Sequence, residues 1–365
     1  MISKKVYSTA ILAGSIIGGG LFALPYIANQ SGLFIMAFYL LILGSFALAI
    51  HLMMAEIALK SPDNKRLPGF AKLHLGEKGE KVALFSNIFG ILGTTLAYLI
   101  LGGEFLSTIT QLDVTLATLI YFLAGVILII FGIKIISKIE LWGVVLFFVC
   151  LFLIFFKAIP FLDFSNLNIA TNLNYLFLPY GPVLFSFWGI SMVPEAEELL
   201  DKKRKSLKKI VISSFLICAI VYSLFIGIVL AICGGGITES SLDCLRGVLG
   251  GEVGFIALAF GILTTFTSYI TVGLTLQKIL WFDLKLNKHL STIITCGVPI
   301  TLFLLGINSF ISVISFVGAL LFGIDGILIL LIYAKIKKQR RFLVYPLIIL
   351  FILGGLYEII NFFNI

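Results

Sequence analysis

Two clusters of small residues interrupt long apolar stretches of this sequence. In the first, between positions 14 and 20, four glycines fall within seven residues of a hydrophobic run. The second, at 185–195, reads Phe-Ser-Phe-Trp-Gly-Ile-Ser-Met-Val-Pro-Glu and contains Gly189 and Pro194. A glycine costs a helix about 1 kcal/mol relative to alanine, and a proline removes a backbone donor. Both clusters therefore predict breaks in otherwise helical segments.

A break in a helix leaves backbone groups free to bind a ligand. Carbonyls at the end of the first half carry the negative end of the helix dipole, and amides at the start of the second half carry the positive end. In the first cluster, the carbonyls of Gly14 to Ile17 would suit an ammonium group or Na⁺, and the amides of Gly19 and Gly20 a carboxylate. The carbonyls of 185–187 would serve an ammonium as well. This is the charge pattern of an α-amino acid zwitterion, which needs such partners inside a membrane.

The elements that position these clusters are membrane helices. The chain has 365 residues, of which 60% are hydrophobic and 12% charged, and its mean hydropathy is +1.15. Soluble domains have about 25% charged residues, so a soluble fold is excluded, and the net charge of +8 indicates topology and not a nucleic-acid partner. We predict an all-α polytopic membrane protein. Its eleven predicted spans lie near 6–28, 33–59, 82–110, 115–132, 141–159, 178–200, 210–233, 253–280, 290–307, 311–334 and 342–363.

The basic residues predict the orientation. With the N-terminus inside, 24 of the 26 basic residues fall in connections on the cytoplasmic side, and Lys157 and Arg246 are left outside. Such a bias favours a cytoplasmic N-terminus and, with eleven spans, an external C-terminus in the plasma or inner membrane.

The two clusters fall in spans one and six, which cross the membrane in opposite directions. This predicts a single transmembrane domain, 1–365, built as a five-plus-five inverted repeat of about 5–160 and 175–335. Helices one and six would be discontinuous, and an extra eleventh helix at about 342–363 would lie outside the repeat. Alternatively, the glycines serve close helix packing and Pro194 causes a simple kink.

Three motifs resemble known transporters. The glycine run continues as Leu21-Phe22-Ala23-Leu24-Pro25 and resembles the amino acid–polyamine–organocation superfamily, whose members have the inverted-repeat fold of the bacterial leucine transporter. Span three, at 97–106, resembles the amino acid/auxin permease branch, and span eight, at 267–274, is similar to its tyrosine and tryptophan permeases. The resemblance implies a secondary active symporter of neutral apolar or aromatic amino acids that works by alternating access.

The resemblance also implies the residues of the substrate site. Carboxylate contacts fall on the amides of Gly19 and Gly20, ammonium contacts fall on the carbonyls of Ile16 and Phe185, and Tyr98 faces the substrate. The whole predicted substrate site comprises Ile16, Gly18, Gly19, Gly20, Tyr98, Phe185, Phe187 and Trp188.

The coupling ion stays open between Na⁺ and a proton. Sodium-coupled relatives hold the ion between carbonyls of span one and hydroxyls of span eight, and oxygen donors suit a hard cation. The matching positions here are Gly14, Ile17, Thr264, Thr267 and Ser268. Leu21 stands where a second sodium site requires a polar residue, so at most one Na⁺ is predicted. Hydroxyls in membrane helices also bond to their own preceding carbonyls. For proton transfer or gating, the candidates are Glu104, Glu195 and Asp325.

Other functional classes find less support. The sequence has no His-Glu-x-x-His, Gly-x-Gly-Asp or Asp-rich diphosphate motif, so an enzyme is not predicted. We expect no cofactor apart from Na⁺, no nucleic acid and no obligate protein partner, only a small amino acid and the bilayer. A closer alternative is an amino-acid-sensing membrane receptor that binds without transport. Cys233 and Cys244 flank one outside loop and could pair as a disulfide.

Overall fold

The computed structural model describes residues 4–61, 65–131, 133–167, 169–200, 205–337 and 341–363, and within these ranges it contains helices and no strand. Gly132, the predicted end of span four, and the basic residues at 202–204 lie outside the described residues. The α-helices are α1 (Lys4–Ile16), α2 (Gly20–Ser31), α3 (Leu33–Lys60), α4 (Leu67–Leu75), α5 (Glu77–Thr110), α6 (Val114–Phe131), α7 (Ile133–Ala158), α8 (Tyr180–Ser186), α9 (Met192–Leu200), α10 (Leu207–Cys233), α11 (Leu242–Leu249), α12 (Gly251–Lys278), α13 (Lys288–Leu304), α14 (Phe310–Phe316), α15 (Phe322–Ile336) and α16 (Arg341–Phe363).

The helices are those of a multi-pass membrane protein. In the described part of the chain, five segments are long and apolar enough to cross a bilayer: Leu33–Lys60, Glu77–Thr110, Leu207–Gly236, Gly254–Phe282 and Phe310–Ile336. The pair α1 and α2 forms a sixth if it is one bent span. Shorter apolar helices lie at Val114–Ile130, Phe148–Phe161, Lys288–Leu304 and Val344–Ile360. The number of eleven spans and their orientation stay predictions.

The first predicted break is present between α1 and α2, whose axes differ by 50°. The last regular bond of α1 runs from the Ile17 amide to the Ala13 carbonyl, at 2.8 Å. The Gly18 amide then turns back to the Ile16 carbonyl at 2.8 Å, and a short-range bond from Leu21 to Gly18 starts the second half. The glycines thus end one helix and begin the next within three residues, since an unhindered backbone allows this close reversal.

The second predicted break separates α8 from α9. Residues 187–191 are outside any α-helix. Pro194 does not interrupt α9; it is the third residue of that helix, in the first turn, where a missing amide costs no intrahelical bond. The proline therefore helps to start the second half.

The helices form two neighbouring groups. The broken pairs α1–α2 and α8–α9 pack against α3 and α10, whereas α5 and α12 pack on each other and on α6, α7 and α13. The combined rod of α14 and α15 contacts both groups, and α16 covers α15. At the end opposite the N-terminus, the ring of Phe22 packs edge-to-face on Phe105, Phe225 and Phe260, with centroids 5.2–6.0 Å apart. This cluster fills the space between the two groups at that end.

Cys233 and Cys244 form a disulfide, which ties the end of α10 to α11. Between them, the Ser241 hydroxyl donates to the Phe22 carbonyl at 2.6 Å, and Leu242 is fully buried. The loop is therefore packed into the end of the protein that the aromatic cluster closes.

We expect the disulfide to be measurable by thiol counting. Because Cys150, Cys218 and Cys296 are the free cysteines, the unfolded and unreduced protein should take up three alkyl groups, and the reduced protein five. The variant Cys244→Ser should take up four without reduction, because Cys233 loses its partner. Intact mass spectrometry reads these numbers, and five alkyl groups on the unreduced wild-type protein would contradict the pairing.

Candidate binding site at the two helix breaks

A cavity of about 370 Å³ lies where the two breaks meet. Small-molecule sites typically have volumes of roughly 300–1,000 Å³, so the cavity has room for a ligand of amino-acid size. Six of the eight residues predicted for the substrate site line it, namely Ile16, Gly18, Gly20, Tyr98, Phe185 and Trp188. Gly19 and Phe187 do not line it. The Phe187 ring is buried away from the cavity, stacked on Phe215 with centroids 5.8 Å apart.

Tyr98 of α5 covers the first break. A Cβ at Gly19 would lie 2.8 Å from a ring carbon of Tyr98, and a Cβ at Gly18 would overlap the hydroxyl. The glycines at these two positions therefore allow the phenol to approach the backbone of the break.

The two breaks touch each other directly at Gly20 and Ser186. A Cβ at Gly20 would overlap the Ser186 hydroxyl and lie 3.0 Å from the Ser186 Cα. The first residue of α2 and the last residue of α8 are thus in backbone-to-backbone proximity, which only a glycine permits here.

Tyr222 of α10 bridges the two breaks, and the sequence analysis did not identify it. Its fully buried hydroxyl lies 2.8 Å from the Ile16 carbonyl and 2.6 Å from the Ser186 carbonyl. The Phe185 carbonyl accepts the Trp188 amide at 3.1 Å. Both carbonyls predicted to bind an ammonium, those of Ile16 and Phe185, are therefore already hydrogen-bonded. The Ile16 carbonyl accepts from both the Gly18 amide and the Tyr222 hydroxyl, which uses its two lone pairs. A tyrosine in an apolar span was the only sequence signal for this bridge.

The side chain of His51, in α3, accepts a hydrogen bond from a backbone amide of the second break. Its Nε2 lies 3.1 Å from the Gly189 amide nitrogen, and its Nδ1 lies 2.8 Å from the Ala47 carbonyl oxygen. The imidazole is fully buried and lies behind Gly189, which itself lines the cavity.

Phe322, the first residue of α15, completes the aromatic wall. Its ring stacks on Trp188 at 5.3 Å with an interplanar angle of 8°, and on Phe185 at 5.7 Å with an angle of 17°. All three rings line the cavity. Sequence reasoning found the two rings of the second break but not Phe322, because it lies 134 positions beyond Trp188 in the chain.

The predicted sodium ligands are only partly brought together. Gly14, Thr267 and Ser268 line the cavity, whereas Ile17 and Thr264 are buried outside its lining. The Thr264 hydroxyl donates to the Phe260 carbonyl at 2.8 Å, and the Thr267 hydroxyl donates to the Leu263 carbonyl at 2.9 Å. Donation uses the hydroxyl hydrogen and leaves lone pairs on both oxygens, so the donor set still suits a hard cation.

The three predicted acids lie in different places. Asp325 of α15 lines the cavity, is 4% exposed, and accepts a hydrogen bond from the buried Ser86 hydroxyl at 2.5 Å. Glu195 lies at the cavity mouth. Glu104 lies outside this cavity and lines a small separate pocket together with Glu239 and several hydroxyl residues.

An arginine links the mouth of the cavity to α9. Arg66, which precedes α4, contacts Glu195 at 2.5 Å and Glu198 at 2.8 Å. Burial disfavours the charged guanidinium, but hydrogen bonds and charge from Glu198 and Glu195 outweigh it and raise the pKa of Arg66 above its ordinary value. Lys278 and Phe282 line the same mouth. The cavity thus opens at the end predicted to be cytoplasmic, and the aromatic cluster around Phe22 closes the other end.

Comparisons with known proteins agree with this architecture. In sequence, the chain is 26% identical over 234 residues to the tyrosine-specific transport system 1 of Haemophilus influenzae, which covers 60% of this chain and 56% of that relative. The chain thus spans little more than half the length of this relative.

In structure, the chain resembles a crystal structure of the Eremococcus coleocola manganese transporter in complex with an aromatic bis-isothiourea substituted compound. The TM-score is 0.68 at 15% identity, covering 99% of this chain and 88% of that one. A second crystal structure of that transporter gives 0.69 at 14% identity. At such identities the likeness extends to the fold alone.

The profile of the tryptophan/tyrosine permease family matches residues 1–360, which is nearly the whole chain and includes both helix breaks and every residue of the cavity. From this match, the chain belongs to the tryptophan/tyrosine permease family.

Proposed function

We propose that this protein is a secondary active transporter of neutral aromatic amino acids. The observation that carries the proposal is the cavity at the meeting point of the two breaks, with backbone groups on one side and three stacked rings on the other. Membership of the tryptophan/tyrosine permease family and the similarity to a tyrosine-specific transport system support an aromatic substrate. The substrate side chain would lie against Phe185, Trp188 and Phe322.

The backbone at the breaks would bind the zwitterion. The Gly20 amide begins α2 and would meet the carboxylate, at the positive end of a helix dipole. The Tyr98 ring lies against Gly19, so the Tyr98 hydroxyl would either donate to the carboxylate itself or move aside. The ammonium would use the second lone pair of the Phe185 carbonyl, and it would bind the Ile16 carbonyl in place of the Tyr222 hydroxyl or the Gly18 amide. In this proposal Gly18, which lines the cavity, contributes its backbone to the substrate site, and the backbone of Phe187 shapes the second break.

Alternating access would follow from the two helix groups. We propose the arrangement of the bacterial leucine transporter, with eleven spans, an inverted repeat, and the broken helices rocking against the group around α5 and α12. Arg66, Glu195 and Glu198, whose contacts are present while the cytoplasmic mouth is open, would link α9 to the residues before α4 at that mouth. The N-terminus would be cytoplasmic and the C-terminus external, in the plasma or inner membrane.

Coupling to Na⁺ or to a proton would drive accumulation. One elementary charge that moves inward gains about 2.3 kcal/mol per 100 mV, which sustains a solute gradient of about fiftyfold at about 1.4 kcal/mol per tenfold. Gly14, Ile17, Thr264, Thr267 and Ser268 are the proposed sodium ligands. Asp325, which lines the cavity, is the proposed proton carrier if coupling uses protons, and Glu104 is the more distant candidate.

Uptake into proteoliposomes tests the function. We expect vesicles with the purified protein to accumulate labelled tyrosine or tryptophan under an inward Na⁺ or H⁺ gradient with a negative interior. Vesicles without protein and vesicles with dissipated gradients are the controls. Binding of these amino acids without accumulation under any gradient would instead indicate the sensing receptor, and absence of both binding and uptake would refute the proposed substrate class.

The variant Gly20→Val tests the site. Its side chain would overlap Ser186 and shield the amide, and we expect affinity for the amino acid to fall by about a hundredfold, since overpacking and a lost polar contact each cost about 1–3 kcal/mol. Gly227→Val is the matched control, because a Cβ there meets nothing within 4 Å. Affinities measured by calorimetry on monodisperse protein decide the outcome, and wild-type affinity in Gly20→Val would remove this site from consideration.

The variants Thr267→Val and Ser268→Ala test the sodium site. Each removes one oxygen donor, so we expect the sodium concentration for half-maximal substrate binding to rise about tenfold or more. Thr265→Val is the matched control. Its hydroxyl makes the same type of bond to its own helix, to the Gly261 carbonyl at 2.8 Å, but it does not line the cavity. An unchanged sodium response in both variants would refute these two ligands. Binding and uptake by the wild-type protein that do not depend on sodium would leave protons as the driving ion, and Asp325→Asn would then be the variant expected to abolish coupling.

A further inference from the structure

The amide of Gly189 is an unusual donor, because it lies in a break where no helix carbonyl can accept it. An unsatisfied amide at membrane depth costs several kcal/mol in principle, so it needs a partner. The partner is Nε2 of His51, which reaches across from α3 at 3.1 Å. The interaction joins two segments that are 138 positions apart in the chain.

The two hydrogen bonds of His51 define its protonation. A backbone amide can only donate, so Nε2 must be an unprotonated acceptor. A backbone carbonyl can only accept, so Nδ1, at 2.8 Å from the Ala47 oxygen, must carry the proton. The imidazole is therefore neutral in this arrangement, in the tautomer with hydrogen on Nδ1. Neither partner has an alternative orientation, in contrast to hydroxyl or amide side chains.

The ring of His51 is held in place from two sides. It packs edge-to-face on Phe215 of α10 at 4.6 Å and on Trp188 at 6.0 Å, and it is fully buried. Gly189 is bonded to α9 as well. Its carbonyl accepts a hydrogen bond from the amide of Met192, the first residue of α9, at 3.1 Å. One residue thus connects the imidazole to the start of the second half-helix.

We propose that His51 is a positioning residue of the binding site, in which the Nε2 lone pair holds Gly189 and thereby keeps Trp188 against Phe322 as the cavity wall. This inference rests on the proposed function, since the wall matters only if an amino acid binds in the cavity. His51 does not line the cavity and touches no substrate. It acts through the backbone of the break.

Two variants of His51 distinguish the role of Nε2 as a hydrogen-bond acceptor from the role of the rest of the side chain. In His51→Gln, the amide oxygen lies as many bonds from Cβ as Nε2 does, so an acceptor for Gly189 is retained. In His51→Asn, the amide lies at the shorter distance of Nδ1, so the donor to Ala47 is retained and the acceptor for Gly189 is lost. Ser214→Ala is the matched control, because it removes a partly buried hydrogen bond from α10 to the Thr9 carbonyl, in the intact part of α1.

Binding of tyrosine and tryptophan by calorimetry and thermal unfolding without ligand are measured for each variant. We expect His51→Asn to lose about tenfold or more in affinity, and His51→Gln to stay within about threefold of wild type, since a lost buried hydrogen bond costs about a factor of ten. A role in folding alone would lower the unfolding temperature and leave affinity unchanged, as expected for Ser214→Ala. Equal affinities, or equal losses, in the Asn and Gln variants would overturn the assignment. Wild-type protein that binds neither amino acid would instead overturn the proposed function.

A spectroscopic measurement tests the hydrogen bond when a variant does not fold. The chain has three histidines, and His74→Gln with His289→Gln leaves His51 as the single one. Nitrogen NMR of this protein labelled with ¹⁵N-histidine should report a neutral ring with a protonated Nδ1 and an unprotonated, hydrogen-bonded Nε2. A charged ring, or hydrogen on Nε2, would overturn the inference whatever the binding data.

Discussion

The structure depends on one constraint, that every peptide group at membrane depth must have a hydrogen-bond partner. An unbroken helix meets this constraint by itself, but a helix with a break does not. Here the breaks at 17–19 and 187–191 leave amides and carbonyls inside the protein, and polar side chains from two other helices bind some of them. Tyr222 binds the Ile16 and Ser186 carbonyls, and His51 binds the Gly189 amide. The Gly20 amide and the second lone pair of the Phe185 carbonyl are the groups proposed to hold the charged ends of an amino acid.

The cavity also requires that helix backbones approach each other closely, and small residues allow this at more than one place. A Cβ at Gly318 would overlap the Gly181 carbonyl oxygen and lie 2.9 Å from the Phe185 amide nitrogen. Gly318 lies in a π-helical turn, Val317–Leu321, between α14 and α15. Such turns often occur at functional sites. This turn brings Phe322 directly after it, between the rings of Phe185 and Trp188, so the wall of the cavity depends on a local irregularity of a third helix.

The sequence was sufficient to predict the helical class and both breaks, because glycine density and a proline in an apolar run act locally. It was also sufficient to identify Phe185 and Trp188 as cavity residues, because they lie within the second cluster, whereas Tyr98 was predicted from the resemblance to a family of permeases. It could not identify Tyr222, His51 or Phe322 as parts of the site. The sequence does not show towards which neighbouring helix a single polar or aromatic residue in an apolar span points. Its partner is set only by helix packing. For the same reason, the pairing of Arg66 with Glu195 and Glu198 required the three-dimensional arrangement.

Each break connects the cavity to one end of the protein. The second half of span one, α2, begins with the Gly20 amide and carries Phe22, which is the centre of the aromatic cluster at the closed end. The helix after the second break, α9, begins at Met192, whose amide bonds to the Gly189 carbonyl, and carries Glu195 and Glu198, which contact Arg66 at the open end. A ligand bound between the breaks would therefore act on both ends through short rigid helices. In the proposed mechanism, the broken helices rock against the group around α5 and α12, and α2 and α9 would carry that movement to the two ends.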